Sequence, residues 1–250
     1  GLSYFIIDMK QPGVETQPLK QMNGYASFNQ VFLTDAEVLP DFQVAELGDG
    51  WKVATTTLMH ERRAADSLRA WGQVPNSEGP IYDQERAEIE TTMAPYKWYP
   101  QRAGRVDLIM QRAKETGAIK DPAVRQEIAK LMTLHKSAEW TARRARSAQE
   151  QGKPQGPEGS LGKLAASNVA RAAAKVHTMI SGADSMLSGD DSPENGTVAE
   201  VLISFPASSI AGGTDEIQKN IISERVLDMP KETRFDAGKP FKDIPRNTIS

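Results

Sequence analysis

The stretch that most constrains this chain runs from Trp51 to Trp71, WKVATTTLMHERRAADSLRAW, with no proline inside it and Gly72 directly after it. Ala54, Leu58, Glu61, Ala65 and Leu68 recur at steps of four, three, four and three. That spacing is one stripe of an α-helix, so the segment is expected to be a helix with a buried face. Four of the five stripe residues are apolar, and the fifth is a carboxylate. Burying a poorly paired carboxylate favours its proton-holding form, which suits a general base. Two readings of Glu61 stay open on periodicity alone: a catalytic base, or one partner of a structural ion pair.

The strands precede this helix. Tyr4–Asp8, Val14–Leu19 and Phe28–Leu33 are short runs of β-formers, with a turn at Pro12-Gly13 between the first two. Gly48-Asp49-Gly50 marks the change to helix. Three or four strands make a weak domain alone, and the first residue falls just before a strand. The expectation is a chain that starts partway through a sheet, without a secretory leader.

Residues 73–103 read as a loop-like insertion, with Pro75, Gly79, Pro80, Pro95 and Pro100 beside Tyr82, Tyr96, Trp98 and Tyr99. It is expected to be either a packed connector or a wall over a site. Beyond it the period is helical throughout. Gly104–Gly117 puts Val106, Ile109, Met110 and Ala113 on one face. Asp121-Pro122 supplies cap and N1 chemistry for a long helix, with Val124, Ile128, Leu131, Leu134, Ala138 and Ala142 inward. Arg143, Arg144 and Arg146 are expected near its C-terminus, where the helix dipole favours cations. Another helix starts at Ser160 and buries Leu161, Leu164, Val169, Ala172, Val176 and Ile180. Asn195-Gly196 is a turn, 197–205 a short helix or irregular segment, and Thr214-Asp215 caps a last helix to Leu227. A polar tail follows. The fold class is mainly α with a partial β-domain, followed by an antiparallel helical bundle. The expected divisions are 1–48, 49–229 and 230–250.

Composition excludes several functions. The chain has no cysteine, so disulfides, thiolate metal sites and cysteine nucleophiles are out. His60, His135 and His177 stand far apart, and no metal site is expected. A net charge of −3 without a basic block gives no support for nucleic acid as a partner. No apolar run is long enough to span a membrane. A cytoplasmic location is the expectation.

The segment Ile210-Ala211-Gly212-Gly213-Thr214-Asp215-Glu216-Ile217-Gln218-Lys219-Asn220-Ile221-Ile222, with Glu224-Arg225-Val226-Leu227, resembles the C-terminal signature of flavin-dependent acyl-CoA dehydrogenases. Leu2–Met9, Pro12-Gly13-Val14, Phe28–Phe32 and Gly48-Asp49-Gly50-Trp51 resemble the later strands of that family's middle β-domain and the entry to its helical domain. Between about 73 and 205 the match is one of helical layout. The pattern is similar to the bacterial branch for bulky or branched acyl chains, including steroid side chains.

The resemblance implies FAD as cofactor and α,β-desaturation of an acyl-CoA, with electrons passed to an electron-transfer flavoprotein. It implies a homo-tetramer or heterotetramer. Many members carry the catalytic base immediately before the Gly-Thr of the last motif, where this chain has Gly212. Others use the glutamate of a Glu-Arg pair in the first C-terminal helix, which matches Glu61-Arg62. Glu61 is therefore the expected base, and Gly212 leaves room for a bulky acyl group. Gly213, Thr214 and Gln218 match positions that contact FAD. The family's Arg-x-x-Phe-Gly flavin contact is absent from Arg105–Gly117, and Arg125-Gln126 nearby has no evident role. The family's N-terminal helical domain and the first half of its β-domain have no counterpart here, so the chain is expected to be incomplete as an enzyme. The alternative is a non-catalytic partner subunit of a heteromeric dehydrogenase.

Overall fold

A computed structural model describes residues 1–71, 77–93, 100–153, 156, 158–233, 235–236 and 238–244. The side chains of residues 62, 63, 65–71, 93, 100, 158 and 241 also lie outside the described set, as do Tyr96, Trp98 and Tyr99. The chain divides into two units, Gly1–Trp98 and Tyr99–Ser250. The 48/49 boundary read from the sequence is a change of element type, from strand to helix, and remains our proposed domain boundary.

In the first unit, β1 (Tyr4–Phe5) pairs antiparallel with β4 (Gln43–Val44), and β2 (Val14–Leu19) pairs antiparallel with β3 (Phe28–Leu33). Within β2 and β3 the register runs from Val14 opposite Leu33 to Leu19 opposite Phe28. The Gln11 side chain ties the hairpin entry to a later loop, donating to the Glu37 carbonyl and accepting from the Glu37 amide at 3.0 and 2.9 Å. Every residue of β3 is exposed, Phe28 and Phe32 included. A two-stranded ribbon with both faces open is marginal on its own.

The helix α1 (Gly50–Trp71) starts against β1, where the Gly50 amide donates to the Leu2 carbonyl at 2.7 Å. Thr55, Thr56 and Thr57 sit in its interior without breaking it because each hydroxyl donates to a carbonyl one turn back. The helix is as periodicity requires, but its burial is not. Trp51 is 68 % exposed and Leu58 47 %, and Glu61 is exposed as well. The expected burial of Glu61 is therefore corrected: among the described residues, nothing covers that part of the stripe.

The 73–103 segment is also corrected. It contains α2 (Pro80–Met93), so it is not simply a loop. Pro80 opens the helix, where a missing N–H costs nothing. Gln84 then bonds Glu88 one turn on, and Arg86 pairs with Asp83.

The second unit is built on α5 (Glu158–Ser181), which packs on α3 (Val106–Glu115), α4 (Pro122–Glu150), α6 (Thr197–Ser204) and α7 (Asp215–Arg225). Glu127, early in α4, pairs with Lys175, late in α5, at 2.8 Å, so the two helices run antiparallel. Ile109, Ala113, Val124, Ile128, Leu131, Val169, Ala173, Val176 and Ile180 form one core cluster. Burying a side chain such as Leu131 stabilises the fold by about 1.5–3 kcal/mol. Asp121 caps α4 as expected, accepting from the Ala123 amide at 2.7 Å.

Two expectations for α4 change. Its inward stripe is buried only as far as Leu131, and Leu134 is exposed. The helix runs on to Glu150, so Arg143, Arg144 and Arg146 lie before its last turn. The dipole acts only over that turn. Arg143 is instead held by Glu139, one turn back. No helix among the described residues is long and apolar enough to cross a membrane.

Candidate flavin turn and the site around it

After the 3-10 turn Phe205–Ser209, the amides of Ile210 and Ala211 both donate to the Ala207 carbonyl. Gly212 and Gly213 follow with φ of +70° and +97°. Thr214 then turns extended and caps α7, its hydroxyl accepting from the Ile217 amide at 3.3 Å. Gln218 is buried, and its side-chain amide donates to the Gly212 carbonyl at 3.3 Å. A Cβ on Gly213 would lie 2.5 Å from Nε2 of Gln218. The left-handed backbone is what favours glycine here, and the flexible end of Gln218 occupies the space a Cβ would take. The sequence-derived residues Gly213, Thr214 and Gln218 thus come together in one turn. Glu61 lies in the other unit, on α1.

The sequence assigns Asp215 only to the cap, and the structure gives it more to do. It is 4 % exposed, and its carboxylate accepts from Ser167 Oγ at 2.7 Å, Arg171 Nη2 at 3.1 Å and Lys163 Nζ at 3.3 Å. Burial alone would raise its pKa. The hydrogen bonds from Ser167, Ser209, Arg171 and Lys163 outweigh that and hold the acid down to about 2. The signal was available in the sequence: Lys163, Ser167 and Arg171 recur at steps of four, which places three hydrogen-bond donors on one side of the helix.

A second buried cluster had no such signal. Arg112 Nη1 lies 2.8 Å from Nδ1 of His177, its Nη2 donates to Ser181 Oγ, and its Nε faces Glu194 at 3.5 Å. His177 is fully buried, with Nε2 at 3.0 and 3.2 Å from the carbonyls of Gly104 and Arg105. Arginine has no acceptor, so Nδ1 accepts and Nε2 carries the proton. Burial lowers the pKa of His177, and the Arg112 charge adds to this. Arg125 also gains a role. It donates to the carbonyls of Ile119 and Lys120 at 3.1 and 2.7 Å, closing the turn before α4. Among the described residues no group of His, Asp or Glu could hold a metal.

Residues 102–227, half of the chain, match the family model for the acyl-CoA dehydrogenase C-terminal domain. The chain belongs to the acyl-CoA dehydrogenase family. The domain that carries the Gly212–Gln218 turn is that family's C-terminal helical domain, preceded by part of a β-region. Acyl-CoA dehydrogenase IpdE1 of Mycobacterium tuberculosis is 29 % identical over 240 residues, which are 94 % of this chain and 52 % of that protein. The chain therefore spans about half the length of the curated relative. Among solved structures, the Tcur3481–Tcur3483 steroid acyl-CoA dehydrogenase shares the fold with a TM-score of 0.68 at 18 % identity, over 93 % of this chain and 53 % of that one. The ChsE4–ChsE5 complex from Mycobacterium tuberculosis does so with a TM-score of 0.63 at 19 % identity, over 92 % and 53 %.

Proposed function

We propose that this acyl-CoA dehydrogenase chain is the C-terminal portion of a FAD-dependent, cytoplasmic enzyme that desaturates an acyl-CoA thioester between its α and β carbons. The observation that carries this reading is the Gly213–Thr214–Gln218 turn, in a domain of this family. A glycine cradle followed by a capped helix start presents backbone N–H groups without side-chain obstruction, which suits a pyrophosphate. Gly213, Thr214 and Gln218 would hold the flavin. When bound, FAD supplies the acceptor for the hydride that leaves the β-carbon.

Glu61 is the proposed base. It takes the α-proton of the thioester onto its carboxylate as the α,β double bond forms. Its exposure on α1 leaves it open to a substrate, and a bound acyl chain would supply the desolvation that raises its basicity. Gly212 has open space where a Cβ would stand, which suits a bulky acyl group. The steroid dehydrogenases that share the fold support a branched or steroid side-chain substrate. Assembly as a homo-tetramer or heterotetramer and electron transfer to an electron-transfer flavoprotein belong to the same proposal.

The test uses the complete protein. Anaerobic titration with steroid side-chain and branched acyl-CoA should bleach the flavin bands. Glu61→Gln should keep the flavin bound and lose the bleaching. Undiminished bleaching in that variant would refute Glu61 as base. A second reading rests on Gly212, which stands where many members carry their base: the chain would be the non-catalytic subunit of a heteromeric enzyme. Co-purification with a second dehydrogenase chain that alone supports bleaching would favour it.

A further inference from the structure

We propose that Asp215 is a positioning residue for the flavin turn, locking Gly212–Thr214 in its binding shape through a clamp to α5. The inference rests on the flavin reading above and adds to it a residue outside the proposed contacts. A carboxylate in the first turn of a helix is usually satisfied by exposed amides of that turn. The Asp215 side chain instead takes bonds from Lys163, Ser167 and Arg171, three successive turns of α5.

Two of those donors also bind the chain on the other side of the glycines. Lys163 donates to the Ser208 carbonyl at 2.7 Å, and Arg171 to Ser209 Oγ at 3.0 Å. The segment is therefore fastened at Ser208, Ser209 and Asp215, with exposed Ile210, Ala211 and Gly212 and half-buried Gly213 between the fastenings. Paired glycines at positive φ have much freedom to lose. Fixing both ends before the ligand arrives removes that cost from binding. The clamp also deals with charge. A bare carboxylate next to Thr214 would repel a pyrophosphate, and two cations on Asp215 remove that repulsion.

The experiment measures FAD affinity and the FAD-dependent rise in Tm for the complete protein and for Asp215→Ala, Lys163→Met, Ser167→Ala and the Asp215→Ala/Lys163→Met double variant. We expect FAD to bind about tenfold more weakly to Asp215→Ala, with a smaller ligand-dependent rise in Tm. The double variant should bind FAD more weakly than Asp215→Ala alone, because Lys163 also fastens the Ser208 carbonyl, though by less than the sum of the two single losses, because the Lys163–Asp215 bond is counted in both. A merely structural role would lower the Tm with and without FAD equally and leave the affinity alone. That result, or tighter FAD binding, overturns the proposal. Should Asp215→Ala fail to fold, Ser167→Ala and Lys163→Met decide by the same affinity criterion. Gly213→Val separates the two readings. If the wild-type protein binds no FAD, the flavin reading itself fails. If Gly213→Val loses FAD while the clamp variants keep wild-type affinity, only the clamp fails.

Discussion

Arg112 and His177, 65 positions apart, meet inside the helical unit with Nη1 of one 2.8 Å from Nδ1 of the other. The contact fixes the imidazole tautomer. It also joins α3 to α5, while Nε2 of His177 reaches the chain just before α3 at the Gly104 carbonyl. Both nitrogens are used only while the ring is neutral.

Replacing His177 with Phe should therefore cost about 2–4 kcal/mol, since it leaves a buried guanidinium and a carbonyl short of partners. Gln can accept from Arg112 and still donate toward Gly104, so His177→Gln should recover part of the loss. Urea midpoints of the two variants and the wild type check this. Equal destabilisation by Phe and Gln would mean that shape, not hydrogen bonding, holds the site.

The same pair sets an acid response. His177 titrates below its ordinary range because of burial, then because of Arg112. As pH falls through about 6.5, the unfolded imidazole takes up a proton that the folded one refuses, so stability falls with pH. The slope is at most about 1.4 kcal/mol per pH unit for one group. Asp215, held to about 2, behaves as a depressed acid. Its contribution is complete above about 4 and is lost only between there and about 2. The Tm measured from pH 7.5 to 5 should fall in the wild type and fall less in His177→Gln.

Gly104 and Gly117 offer a contrast. Both have positive φ, at +87° and +75°. A Cβ on Gly104 would stand 2.7 Å from the Ala173 Cβ and 3.0 Å from the Ala170 Cα, while one on Gly117 meets nothing within 4 Å. Gly117→Ala should cost the conformational part alone, about 1–2 kcal/mol. Gly104→Ala adds overpacking and should cost roughly 2–5 kcal/mol in all. Thermal unfolding of both variants tests whether close helix approach, not backbone conformation, requires Gly104.

Arg125 gives a prediction of a different kind. It closes the turn before α4 and has no part in the proposed flavin turn. Arg125→Met should lower stability by about 1 kcal/mol. FAD affinity should stay within twofold. A large loss of affinity at unchanged stability would assign Arg125 to the flavin instead.

Glu61→Gln should lower the rate of flavin reduction by roughly 10²–10⁴-fold, the usual range for a positioned base. Rapid-mixing measurement of flavin bleaching in the complete protein gives that rate directly. A reduction rate within tenfold of the wild type would move the base elsewhere.

Much of the architecture was determined by the sequence itself, because its causes are local. The strands Val14–Leu19 and Phe28–Leu33 follow from β-formers between turn residues, and the α4 start follows from Asp121-Pro122. Thr214 as a cap, and Gly213 with Gln218 five residues on, are set by one turn of chain. The tertiary structure alone decided what meets across long separations. It joined Arg112 to His177, turned the Asp215 side chain away from its own helix onto three turns of α5, and gave Arg125 its carbonyls. It also decided which apolar stripes are covered. Periodicity marks a face on α1 and on the later half of α4, but it cannot say whether a partner lies against that face, and Leu58 and Leu134 stand exposed. Burial depends on a second surface, and a helix's own spacing holds no information about where that surface is.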